Sequence, residues 1–81
     1  MPWRVIACGD EIWHVEPVAE RPAHDRFWHL VLSFRGTSGG MRDQAFWAQY
    51  PIEATSKSAL FLQADRIPDA ALSHLLVERR L

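Results

Sequence analysis

The stretch of the chain that most suggests chemistry is Gly-Thr-Ser-Gly-Gly at residues 36–40. It matches the Gly-x-Ser-x-Gly pattern of a nucleophile elbow, in which a serine on a sharp strand-to-helix turn attacks an acyl group. An elbow requires a helix directly after the serine, whereas Phe46, Trp47 and Ala48 soon resume a strand-like pattern. The segment is therefore predicted to be a flexible hairpin loop without a catalytic residue.

The same loop is a candidate for phosphate binding. It begins at Gly36 and ends at Gly40, with Arg35 before it and Arg42 shortly after it. Backbone N–H groups of glycine-rich loops and guanidinium groups both bind phosphate oxygens. No Gly-Lys-Ser/Thr sequence is present, so a small-molecule or phosphate-binding protein is the alternative hypothesis and not the leading one.

Four histidines raise the question of a metal site. His14 and His29 are predicted to lie on the same outward sheet face, but Zn²⁺ requires at least three protein ligands. Glu16, His24 and Cys8 are the available third ligands, and none has a diagnostic spacing. The carboxylates are scattered among predicted turns, where they do not converge on a cleft. The sequence therefore predicts no metal, no cofactor and no enzymatic activity.

Length and composition narrow the class of protein. The 81 residues are enough for one domain spanning residues 1–81, and 48% hydrophobic content is sufficient for a compact core. A formal net charge of −1 disfavours nucleic acid and anionic membranes as partners, which leaves single-stranded nucleic-acid binding as a weak hypothesis. With one cysteine, no signal peptide and no apolar stretch of about 20 residues, we expect a cytoplasmic protein without a membrane partner.

The first two thirds of the chain are predicted to form four antiparallel strands. Residues 3–8 and 12–18 flank Gly9-Asp10, a strong hairpin signal. We prefer a three-residue loop, which places Arg4 opposite Glu16 on the outer face and sorts the following residues onto one inner face: Trp3, Val5, Ala7, Trp13 and Val15. Residues 17–25 contain two prolines and three charged residues, and they are predicted to be an irregular connection.

The third and fourth strands show clear alternation of side chains. Residues 27–35 form the third strand, whose inward set is Trp28, Leu30, Leu32 and Phe34. Residues 44–52 form the fourth strand, with Phe46, Ala48, Tyr50 and Ile52 on one side and Trp47 and Gln49 on the other.

The last third of the chain is predicted to be helical. Residues 56–65 form a helix with Thr55-Ser56 near its N-cap and an apolar stripe of Leu60, Ala64 and Ile67. A fifth strand remains an alternative there, because Leu60, Leu62 and Ala64 also alternate. A second helix starts at Pro68 and turns Leu72, Leu75 and Leu76 towards the core. It carries a surplus apolar stripe, made of Ala70, His74, Val77 and Leu81.

Together these elements predict an α+β fold, a four-stranded antiparallel β-meander followed by two C-terminal helices packed on one face. The surplus helix stripe and the mixed outer sheet face favour a non-enzymatic protein-interaction module, with a protein partner or a homodimer as its complex. The predicted interaction surface consists of Arg4, His14, His29, Arg35, Arg42, Trp47, Ala70, His74, Val77 and Leu81.

Overall fold

A computed structural model describes residues 3–9, 11–38 and 44–80 of the chain. The elements, in chain order, are β1 (Arg4–Cys8), β2 (Glu11–Glu20), β3 (Trp28–Ser38), β4 (Gln44–Ala54), α1 (Lys57–Ala64) and α2 (Asp69–Arg80). The strands form one antiparallel sheet in the order β1-β2-β3-β4. The predicted α+β fold, a four-stranded meander followed by two C-terminal helices, is confirmed.

The first hairpin has a tighter loop than predicted. Arg4 pairs with Val15 and Ile6 with Trp13, so the loop contains only residues 9 and 10, and the predicted three-residue loop is wrong. Gly9 has a φ of 63°, the left-handed conformation that a two-residue hairpin turn requires. As a result β1 presents its other face to the core: Ile6 is 4% exposed, whereas Val5 is 54% exposed.

β2 is longer than predicted, because residues 17–20 continue the strand and are not an irregular connection. Arg4 and Val15 are the last residues of β1 and β2 that pair with each other. Pro17 lies beyond that point, so its missing N–H group removes no hydrogen bond between β1 and β2. A proline in an otherwise regular strand is tolerated at such an edge position.

β3 also extends further, because residues 36–38 of the predicted loop belong to the strand. Gly36 is buried and faces the Trp13 ring, where an added Cβ would lie 2.6 Å from the nearest ring atoms. This glycine therefore serves close packing against an indole and not loop flexibility. Gly39, Gly40 and Arg42 lie outside the described residues.

β4 pairs with β3 along its length but contains one irregularity. Leu30 pairs with Tyr50 while the adjacent His29 pairs with Glu53, so Pro51 and Ile52 are extra residues in β4. Because two residues are inserted, the alternation of faces is preserved across the bulge. The predicted sides of β3 and β4 are confirmed.

The core lies between one sheet face and the two helices. Phe34 and Phe46 stack with ring centroids 4.7 Å apart, and Trp13 meets Phe46 edge-on at 5.6 Å. Trp3, Trp28 and Leu75, which were predicted to be in the core, are partly buried against it. The predicted core residues that are buried are Trp13, Leu30, Leu32, Phe34, Leu60, Leu72 and Leu76.

Residues 57–64 form a helix, so the alternative of a fifth strand does not apply. Ser56 is the N-cap, and its hydroxyl accepts a hydrogen bond from the N–H of Ala59 at 3.2 Å. The predicted stripe of Leu60, Ala64 and Ile67 is buried.

α2 crosses the sheet from one edge strand to the other. Its first residue, Asp69, accepts a hydrogen bond from Arg4 in β1, and Arg79 near its end lies over the Phe46 ring in β4. Twelve residues span about 18 Å, which exceeds the roughly 14 Å between the first and fourth strand of a sheet. Both edge strands are therefore held by the same helix.

Candidate interaction surface

The sheet face opposite the helices, here called the outer face, is not covered by either helix in the described part of the chain. The register places His14, Arg35 and Ala45 in one row across the strands, and Glu16, Ser33 and Trp47 in the next. Both helices pack on the other side of the sheet, and no further described element covers the outer face. His14, His29, Arg35, Trp47 and Gln49 thus share a face, as the alternation predicts.

Four polar side chains occupy the centre of the outer face. His14 lies directly opposite Arg35, and Glu16 lies opposite Ser33. Together they line a shallow depression of about 300 Å³. Within the described residues, these four side chains form no hydrogen bond or ion pair with one another or with a neighbour. Their donors and acceptors are therefore available to a bound group.

Apolar side chains border this depression on both sides. Val5 and Ile12 lie diagonally across β1 and β2 and are both exposed. On the opposite side, Trp47 in β4 is 65% exposed. A polar centre between apolar flanks suits the recognition of another protein, where aromatic and arginine side chains supply most of the binding energy.

Arg4 does not belong to the outer face, and its predicted position there is wrong. The two-residue turn puts Arg4 on the helix side, where its Nη1 donates to the Ile67 carbonyl at 2.6 Å and to Asp69 Oδ1 at 2.8 Å. Its Nη2 donates to the Asp65 carbonyl at 3.0 Å. Arg4 thus binds the connection between the two helices and has a structural role. Ile6, which alternates with the residues of β1 that were predicted to face inward, is likewise on the helix side and is buried.

His29 lies far from His14 on the same face. It pairs with Glu20, six positions along β3 from the partner of His14, which is about 20 Å. Its Nε2 lies 2.8 Å from Asp25 Oδ2, and its Nδ1 lies 3.6 Å from Glu53 Oε2. Among the residues that the structure describes, no group of three or more His, Cys, Asp or Glu side chains could hold a metal ion.

Asp25 has a pKa below its ordinary value of 3.8. The main cause is the hydrogen bond that its carboxylate accepts from the Phe27 N–H at 2.9 Å, and the second is its contact with the His29 ring. Both interactions favour the charged form of the carboxyl group. They also fix the turn that leads into β3.

The predicted helix stripe forms a separate surface. Ala70, His74 and Val77 are exposed on α2, which lies on the opposite side of the sheet from the outer face. His74 Nε2 lies 2.9 Å from Glu78 Oε1 one turn further along, so this ring already has a partner in its own helix. Leu81 lies outside the described residues. The predicted interaction residues therefore divide between two surfaces.

Glu16, Ser33, Val5 and Ile12 were not among the predicted site residues. Glu16 and Ser33 could have been found, because alternation along β2 and β3 turns both outward beside His14 and Arg35. Ile12 could have been found in the same way, because it alternates with Trp13 along β2, whereas the outward position of Val5 depended on the register of the first hairpin.

Comparison with models of known protein families, with curated proteins and with solved structures finds no match for this chain. In the described part of the chain, neither helix is long and apolar enough to cross a membrane. The outer face is therefore the feature from which we infer a function.

Proposed function

We propose that this chain is a non-enzymatic protein-interaction module that binds a protein partner through its outer face. The observation that carries the proposal is the unpartnered group His14, Glu16, Ser33 and Arg35 between exposed apolar side chains. These four side chains line the same depression. The partner that fits would place a carboxylate near Arg35 and apolar groups over Ile12 and Trp47.

The proposal is supported by a difference in how the charged side chains are paired. Arg4 binds the helix connection, and His29 lies between two carboxylates, so both have partners within the fold. Arg35 is exposed and has no partner among the described residues. A guanidinium without an internal partner among these residues can bind a carboxylate without first breaking an existing interaction.

The first test is selection of binding peptides from a phage-displayed library of random linear peptides, followed by titration of the purified chain. Arg35→Glu should weaken the selected peptides about tenfold or more, because it places a like charge where a carboxylate binds. Arg66→Glu is the matched control: it makes the same charge change at an exposed position between α1 and α2. The Arg66→Glu variant should bind the selected peptides as tightly as the wild type does.

Ile12→Ser tests, in the same experiment, whether the apolar side chains contribute to binding. Ile12 is 48% exposed on the outer face, and its control, Leu62→Ser, alters a side chain that is 66% exposed on α1. Only Ile12→Ser should weaken binding. If no peptide is enriched, or if both pairs of variants bind as the wild type does, the outer face is not a recognition surface.

A further inference from the structure

The edges of the sheet differ in how well they are protected against pairing with another strand. Exposed edges are normally protected by charged residues, prolines, bulges or short length. β1 is five residues long and carries Arg4, and the end of β2 beyond it carries Pro17 between Glu16 and Glu20. These features protect the first edge of the sheet.

The second edge, formed by β4, is protected over part of its length only. Its last residues contain Pro51, the bulge and Glu53. Residues 44–50, which read Gln-Ala-Phe-Trp-Ala-Gln-Tyr, contain no charged residue and no proline. They pair regularly with β3 on one side, and no described strand pairs with the other side. This stretch presents free backbone N–H and C=O groups in a regular, uncharged strand.

We propose that residues 44–50 pair with the same residues of a second copy of this chain, in antiparallel orientation. The two sheets would then join into one sheet of eight strands, related by a two-fold axis. Trp47 is the middle residue of the seven, so the register that pairs the whole stretch places Trp47 opposite the partner's Trp47. This inference goes beyond the proposed function, because it concerns the edge of β4. Trp47 is the one residue that both proposals use.

The stretch is self-complementary in this register. Phe46 lies opposite the partner's Ala48, which sets a large side chain against a small one on the helix side. Ala45 lies opposite the partner's Gln49, and Gln44 lies opposite the partner's Tyr50. The two-fold axis sets the stretch against a copy of itself, so charges of one sign within it would repel one another across the axis, whereas this stretch contains no charge.

Trp47 supplies the apolar contact that such a pairing requires. In the single chain its side chain is 65% exposed at the edge of the outer face. Pairing around the two-fold axis would bring two indole rings together, and aromatic cross-strand pairs are among the more stabilising ones in sheets. The second copy is therefore the occupant that removes both the exposed indole and the unpaired backbone groups.

Light scattering and analytical ultracentrifugation test the proposal on the full chain, from micromolar to millimolar concentration. The wild type should show a species of twice the chain mass of 9.3 kDa. A single species of 9.3 kDa over the whole range would overturn the proposal.

Two double variants test the edge and its register. Ala45→Glu/Gln49→Glu places like charges opposite each other across the two-fold axis, whereas Ala45→Glu/Gln49→Lys places opposite charges there. Within the chain Ala45 faces Arg35 and Gln49 faces Val31, so both variants share the same contact between the introduced glutamate and Arg35. The dimer dissociation constant of the first should exceed that of the second about tenfold.

Equal dissociation constants for the two variants would contradict pairing through β4 in this register, and matching circular dichroism would confirm that both are folded. The proposed function is tested separately, because the selected peptides can be titrated into the wild-type chain at a concentration below its dimer dissociation constant, where Arg35 faces Ala45 as before. Peptide binding with no dimer, or a dimer with no peptide binding, tells which of the two proposals has failed.

Discussion

Gly36 shows how a single residue without a side chain supports the outer face. Its Cα faces the Trp13 ring so closely that a Cβ would overlap the indole, and its neighbour Arg35 lies on the opposite face of the same strand. The proposed interaction residues thus lie directly above a tightly packed part of the core.

Replacing Gly36 with alanine should therefore destabilise the fold by about 1–3 kcal/mol, the usual cost of overpacking a core. This destabilisation outweighs the stabilisation of about 0.4–1 kcal/mol that alanine provides by restricting the conformations of the unfolded chain. Ser33→Ala, on the outward side of the same strand, is the control and should stay within about 0.5 kcal/mol. Urea unfolding measures both, and a Gly36→Ala protein as stable as the wild type would show that Trp13 is free to move.

Asp25 supports a prediction about acid stability. Its pKa is lowered in the folded state, so its carboxylate stabilises the fold above the ordinary pKa of 3.8, and this contribution disappears as the pH falls through the lowered value. Asp25→Asn should be less stable than the wild type at neutral pH, and the gap should close well below pH 3.8. Urea unfolding at the two pH values measures the gap. An equal difference in stability between the two proteins at both pH values would exclude the ionised Asp25 carboxylate as the cause.

At the scale of elements, α1 depends on its N-cap because it is only eight residues long. The Ser56 hydroxyl satisfies the Ala59 N–H, which otherwise has no partner within the helix. The helix in turn buries Leu60 and Ala64 against the sheet, so fraying of its first turn would loosen the core below the outer face.

Ser56→Ala should cost about 1 kcal/mol of stability, the typical value for a lost N-cap. Ser56→Asp retains an acceptor at the cap and adds a charge that suits the helix N-terminus, so it should restore the wild-type value. Thermal unfolding of the three proteins provides the comparison. The cap is not the determinant if the alanine and aspartate variants unfold together.

At the scale of the whole molecule, local patterns predicted which elements form, and long-range contacts decided how they are arranged. Alternation identified the faces of β3 and β4, and helical spacing identified the buried stripe of α1. The predicted register of the first hairpin was wrong because it was chosen to sort apolar residues of β1 onto one face. In the observed register Arg4 lies on the helix side and bonds to the Ile67 carbonyl, 63 residues away, a contact that no local pattern contains.

The same distinction applies to the candidate site. His14, Arg35 and Trp47 were correctly placed on one face, because alternation within a strand is a local property. The depression between His14 and Arg35 required the pairing of β2 with β3, and the separation of the α2 stripe from the sheet face required the packing of the helix. Neither is visible in one segment of sequence.

The bonds of Arg4 to the connection between α1 and α2 also determine when, during synthesis, this side chain can acquire its partners. β1 is made first, yet its guanidinium has no folded partner until Asp65, Ile67 and Asp69 have been added. Ile6 and Trp13 are likewise covered only by elements made later, so completing the core requires contacts between the first strand and the last third of the chain. Such contacts of large sequence separation are the ones that slow folding most.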